Sequence, residues 1–142
     1  MKNFLIIASF LVLVFSVETT YACTCRDIDP NKDLERKVAG NYQDAFAVFS
    51  GKVLSIKNLK PRNKIVTLRL NRSWKGNFGR SVTISTSFLS SMCGYPFANG
   101  KTYLIYAFGP NRQDLSTSIC TRTAEISQTK DIEVLDALKK KP

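Results

Sequence analysis

The sequence predicts a mainly β protein: a five-stranded Greek-key barrel of the OB type with a short helix near each end and an N-terminus stapled by disulfides. Three observations carry this. Five stretches have strand character, the first of them long and interrupted by Gly51. Helical periodicity occurs only near the two ends. Strands and helices do not alternate as they would in a parallel α/β sheet. A β-sandwich is the alternative arrangement of the same elements.

The elements follow in order. Lys2 provides a positive start, Phe4–Val17 is apolar apart from Ser9 and Ser16, and Ala22 is a small residue at a cut, so residues 1–22 read as a cleaved secretory signal. The apolar run is short for a membrane span. Acylation of Cys23, as in a bacterial lipoprotein, is the rival reading; Thr20 and Tyr21 before the cut argue against it. Residues 23–142 are then one exported domain, extracellular or periplasmic, with no transmembrane span and expected to be a monomer.

Asp29-Pro30 suits a helix N-cap followed by proline at the first helical position. Leu34, Val38 and Tyr42 recur every four residues among charges, which predicts an amphipathic helix interrupted near Gly40. From Ala45 to Ile56 the chain turns apolar and β-branched, a long strand with its bend or bulge at Gly51. Asn58–Asn63, with Pro61, is a basic turn. Ile65–Asn71 alternates cleanly and is a half-buried strand, ended by Trp74-Lys75-Gly76, with Trp74 expected as a core plug.

Ser81–Ser87 is a third strand, with Val82, Ile84 and Thr86 on one face. A long connection, Phe88–Gly100, contains Cys93-Gly94-Tyr95-Pro96 and the turn pair Asn99-Gly100. Thr102–Phe108 is hydrophobic on both faces and therefore central; its Tyr103, Tyr106 and Phe108 read as core. Leu115–Thr121, containing Cys120, is the fifth strand. Thr129 then caps a helix with Asp131 and Glu133 in its first turn, Ile132, Leu135 and Leu138 on one face, and Lys139, Lys140 and Lys141 at its C-terminal end, where they suit the helix dipole.

All four cysteines lie in the exported part, where thiols oxidise. A Cys23–Cys25 bond would close a strained ring across one residue. The two remaining connectivities both tie the first three residues to Cys93 and Cys120; one such loop is worth roughly 4 kcal/mol in the chain-entropy model, and two nested ones less than twice that. Cleavage after Ala22 makes Cys23 the terminal residue, whose free α-amine and carbonyl can close a five-membered chelate ring on a metal ion. A staple at the first residue stabilises no better than one a few residues later, so the exposed amine accounts for the position.

The chain has no histidine, which excludes histidine acid–base catalysis, Ser-His-Asp and Cys-His nucleophile activation and His-ligated zinc. Its carboxylates show no spacing typical of a catalytic pair, and oxidised cysteines leave no thiolate. The protein is therefore expected not to be an enzyme, with no cofactor and no metal of its own. The formal net charge is +10, unchanged by removal of Lys2 and Glu18. A basic exterior points to acidic partners such as extracellular polyanions, against plain solubility as the bland account. Nucleic acid is disfavoured because the strand aromatics look buried rather than free to stack.

Cys23-Thr24-Cys25 at a mature N-terminus, Trp74-Lys75-Gly76 closing a strand, Ser91-Met92-Cys93-Gly94-Tyr95 in a loop and Thr117-Ser118-Ile119-Cys120 in a late strand resemble the N-terminal domain of the tissue inhibitors of metalloproteinases (TIMPs), the netrin-like (NTR) module, across essentially the whole mature chain. The resemblance implies an OB barrel with flanking helices and disulfides Cys23–Cys93 and Cys25–Cys120. It implies a secreted inhibitor of zinc metalloendopeptidases in which the amine and carbonyl of Cys23 chelate the protease's catalytic zinc and displace its water. Thr24 would then enter the specificity pocket beside that zinc. Arg26, Asp27, Ser91 and Met92 would form further contacts, although a methionine beside a cysteine is more often packing. The alternative function is a non-inhibitory secreted OB-fold module whose basic surface binds extracellular polyanions or protein partners.

Overall fold

The computed structural model describes residues 23–25, 32–59 and 61–140. The expected leader Met1–Ala22, the helix start at Asp29-Pro30, and Lys141 lie outside these. The first helix, α1 (Leu34–Asp44), begins at Asp33, whose carboxylate accepts a hydrogen bond from the Arg36 N–H at 2.8 Å. Val38 is its buried anchor, with Tyr42 partly buried one turn on. The break expected at Gly40 is absent. A Cβ there would meet nothing within 4 Å, so this glycine sits in open space and costs the helix only its weak propensity.

Five antiparallel strands follow: β1 (Ala47–Leu59), β2 (Asn63–Lys75), β3 (Ser81–Ser87), β4 (Thr102–Ala107) and β5 (Ala124–Glu125), in the sheet order β3-β2-β1-β4-β5. β1 and β2 run longer than their apolar patterns, because hairpin pairing continues through Asn58↔Lys64 and Leu59↔Asn63. The irregularity expected at Gly51 is there: the register shifts between Ser50 and Gly51, opposite Asn71. A second shift between Val53 and Ser55 leaves Leu54 as the extra residue.

Two apolar layers lie on opposite sides of the sheet. The inner one gathers Phe49, Val53, Val66, Leu68, Val82, Ile84, Phe97, Tyr103, Ile105 and Leu115. The outer one sets Val48, Trp74, Leu104 and Tyr106 against Val38 of α1 and Leu135 of the C-terminal helix α2 (Asp131–Lys140). β4 feeds both, Tyr103 and Ile105 to one side and Leu104 and Tyr106 to the other, so its two apolar faces each have a layer to fill.

Leu115–Thr121 is not a regular strand. Around Ser116 it makes only single bridges, to Ser85 of β3 in parallel and to Phe108 in antiparallel sense, and beyond Thr117 it turns. The cause is local. Ser118 Oγ accepts from the Cys120 N–H at 3.2 Å, Thr121 Oγ1 donates to the Ser118 carbonyl at 3.0 Å, and the hydroxyl oxygens of Thr117, Thr121 and Thr123 cluster 2.8–3.0 Å apart, where Thr123 has its proton to donate to a neighbour. The sheet's fifth strand comes later, at Ala124–Glu125, paired with Tyr103 and Leu104.

Each residue of Trp74-Lys75-Gly76 has a structural task. Trp74 is buried in the outer layer and donates its indole N–H to Asp136 of α2 at 2.6 Å, while Arg72 stacks over its ring at 4.8 Å. Lys75 donates its ammonium to the carbonyls of Tyr42 and Gln43 at 2.9 and 2.8 Å, capping the end of α1. Gly76 takes φ +91°, and a Cβ there would meet the Phe78 ring at 2.5 Å. Among the described residues no helix is long and apolar enough to cross a membrane.

Candidate functional site

Cys23 is bonded to Cys93 and Cys25 to Cys120, with Cα separations of 5.3 and 5.1 Å. Of the two connectivities open at sequence level, this is the pairing that the resemblance implies. The disulfides pack on each other: Cys120 Sγ lies 4.0 Å from Cys23 Sγ and 3.8 Å from Cys93 Sγ. The sulfurs of Cys23, Cys25 and Cys120 fall within 4.8 Å, yet all are spent in disulfides and offer no thiolate to a metal.

The floor of this knot is built from β3 and the loop after it. Ser90–Met92 forms a single 3-10 turn, and Cys93 follows with φ 60°, a left-handed conformation uncommon outside glycine. It is held there by its own N–H to the Ser90 carbonyl at 2.9 Å and by the Gly94 N–H to the Leu89 carbonyl at 3.1 Å. Gly94 is obligatory. A Cβ there would lie 2.2 Å from the Ser87 carbonyl oxygen, at the end of β3, so only glycine lets the loop settle on the strand. Tyr95 anchors the other side, donating its N–H to Thr86 Oγ1 at 2.8 Å and packing its ring 4.6 Å from Phe97 and 5.8 Å from Tyr103. Burial pushes its phenol above the ordinary tyrosine range.

The second wall is the Thr117–Thr123 segment. The Ile119 N–H reaches the Cys93 carbonyl at 3.0 Å, so the loops carrying Cys93 and Cys120 are tied by backbone as well as sulfur. Behind it, Thr117 Oγ1 donates to the Tyr106 carbonyl and Thr123 Oγ1 accepts from the Tyr106 N–H, both at 3.0 Å. Asp131 finishes the support. It takes two hydrogen bonds from Arg122, at 2.6 and 2.7 Å, and a third from the Tyr106 hydroxyl at 2.9 Å. Burial, with the Asp131 carboxylate adjacent, drives the Tyr106 phenol far above its ordinary value, while the Asp131 hydrogen bond raises Arg122 further.

The arrangement presents Thr24 exposed between two half-buried cysteines, with Ser91 and Met92 also exposed on the loop bonded to Cys23. Met92 is 43% exposed rather than packed away. Arg26 and Asp27 lie outside the described residues. Sequence reasoning missed three neighbours on the same loops: Phe88, Leu89 and Ile119, exposed by 52, 45 and 42%. The available signal was a pair of apolar residues directly after a strand that already had its inward face filled. No protein-family model matches this chain, and no curated protein is significantly similar to it.

Proposed function

We propose that the chain, cleaved before Cys23, is an inhibitor of zinc metalloendopeptidases that places the Cys23 α-amine and carbonyl on the target's zinc and displaces the water that the metal would activate. The observation that carries this reading is the double anchorage of Cys23-Thr24-Cys25, bonded on either side of an exposed Thr24 to two loops that are themselves joined. An anchored terminus does not have to be ordered on binding, which spares that part of the association cost. Thr24 then enters the pocket beside the zinc, Ser91 and Met92 form a flanking edge with Arg26 and Asp27, and the likeness of these motifs to the TIMP N-terminal domain supports the assignment.

The finer fold reading belongs with it: a sheet closed into a Greek-key OB barrel of the netrin-like kind. Its support is the pattern at Ser116. The Ser85 N–H bonds the Leu115 carbonyl at 2.8 Å and the Thr117 N–H bonds the Ser85 carbonyl at 3.0 Å, while Ser116 and Phe108 exchange bonds of 2.7 and 2.9 Å. Three residues thus bridge β3 to the end of β4.

Titration against a panel of zinc endopeptidases tests the mechanism. Protein beginning at Cys23 is expected to inhibit, and protein with one extra alanine before Cys23 to lose potency by roughly a hundredfold, about 2.7 kcal/mol. Equal potency of the two forms overturns chelation; inhibition by neither overturns the function.

A further inference from the structure

Cys23-Thr24-Cys25 and the walls around it are held in different ways. Among the described residues, no hydrogen bond between backbone groups reaches Cys23, Thr24 or Cys25, so the two disulfides set their place. The walls do not need that sulfur. The Ile119 N–H is bonded to the Cys93 carbonyl at 3.0 Å and the Thr117 N–H to the Ser85 carbonyl at 3.0 Å, so the loops carrying Cys93 and Cys120 meet with or without the terminus.

A third pairing lies at contact distance inside the knot. Cys120 Sγ is 3.8 Å from Cys93 Sγ, to which it is not bonded, and 4.0 Å from Cys23 Sγ. Cys120 is exposed and the other three cysteines are half-buried, so an outside thiolate meets the Cys25–Cys120 bond first. A Cys93–Cys120 bond spans 27 residues, against 70 and 95 for the native bonds, and is the least costly of the three loops to close.

We propose that the knot is a two-state redox switch, in which a dithiol reductant converts the native disulfides into a single Cys93–Cys120 bond and frees Cys23-Thr24-Cys25. The reductant's first thiolate attacks the Cys25–Cys120 bond and its second resolves the mixed disulfide, which leaves Cys25 and Cys120 as thiols and the reductant as a disulfide. The Cys120 thiolate then attacks Cys93 Sγ. The Cys93–Cys120 bond forms, the Cys23–Cys93 bond breaks and Cys23 leaves as a thiolate. In sum the reductant gives up two electrons and two protons, and the protons end on Cys23 and Cys25. Two features direct the attack to Cys93 rather than Cys23. In a chain cleaved before Cys23, the departing sulfur stands beside the α-ammonium group, which makes it the better leaving thiolate. Its departure also frees a segment that no backbone bond restrains, with a gain in chain entropy. Opening removes the anchorage on which the proposed inhibition rests, but the exchange itself needs no protease.

Limited reduction with dithiothreitol tests the switch on the chain beginning at Cys23. Samples are quenched in acid, alkylated and mapped by peptide mass spectrometry. The species with two labels is expected to carry them on Cys23 and Cys25, with Cys93 bonded to Cys120, and to keep the far-ultraviolet dichroism of the oxidised protein. A two-label species that keeps either native bond, or that joins Cys23 to Cys120, overturns the proposal. So does passage from no label to four with no two-label species between. The double variant Cys23→Ser with Cys25→Ser isolates the open state and is expected to form the Cys93–Cys120 bond in air; two free thiols in the folded variant would contradict the pairing. Because the mapping involves no protease, its failure is distinct from failure of the inhibitory function.

Discussion

Asp131 is almost fully buried and serves three donors, so its removal strands the Tyr106 hydroxyl in the interior and frees a guanidinium that is only 27% exposed. Asp131→Ala is expected to cost about 3 kcal/mol in urea unfolding, and Arg122→Ala a comparable amount. Asp136 acts through pH instead. The Trp74 indole N–H, and then Arg72, hold its carboxyl below the ordinary aspartate range. A depressed carboxyl contributes stability that is present above its unfolded value, near 4, and is lost as pH falls through the lower folded value. Asp136→Asn is therefore expected to flatten the loss of thermal stability below about pH 4 relative to the parent. A melting curve of unchanged acid slope would contradict this. Neither partnership was legible in the sequence, where Trp74 and Asp136 stand 62 residues apart and nothing in either neighbourhood points to the other.

At the scale of elements, legibility followed pattern purity. β3 matches its expected span Ser81–Ser87 because its alternation is unbroken, whereas β4, expected at the centre, is fourth of five, between β1 and the short edge strand β5; its two apolar faces reflect a layer on each side of the sheet and not a central place in the strand order. Leu115–Thr121 misled because threonine favours strands on average, whereas here its hydroxyls bind nearby backbone and one another. Gly40 misled in the opposite direction: it reads as a helix breaker, yet α1 runs through it. Because a Cβ there meets nothing, Gly40→Ala is expected to stabilise by about 0.5–1 kcal/mol, measured as a raised denaturation midpoint with unchanged cooperativity.

For the whole molecule, the cysteines announced which segments meet, and the exposed apolar residues around them stayed silent, since single apolar loop residues carry no periodicity. The charge layout was hidden for a different reason. Lys and Arg look scattered along the chain, and the signal is that Ala45–Gln113 has no aspartate or glutamate. Cys25→Ser with Cys120→Ser removes the bond of 95-residue separation while leaving Cys23–Cys93 in place. The expected loss is about 4 kcal/mol in equilibrium unfolding, with the fold retained under native conditions.

The chain's single tryptophan gives these layers an unplanned optical reporter. Trp74 is wedged between a guanidinium and a carboxylate at the α2 side, whereas the sulfur knot is supported by Tyr95, Phe97 and Tyr103 on the opposite apolar layer. Indole emission therefore follows helix detachment, and disulfide dichroism follows the knot; tyrosine dichroism serves neither alone, since the tyrosines are divided between the two layers. Heated together, the two signals distinguish a molecule that sheds its helices first from one that comes apart in a single step.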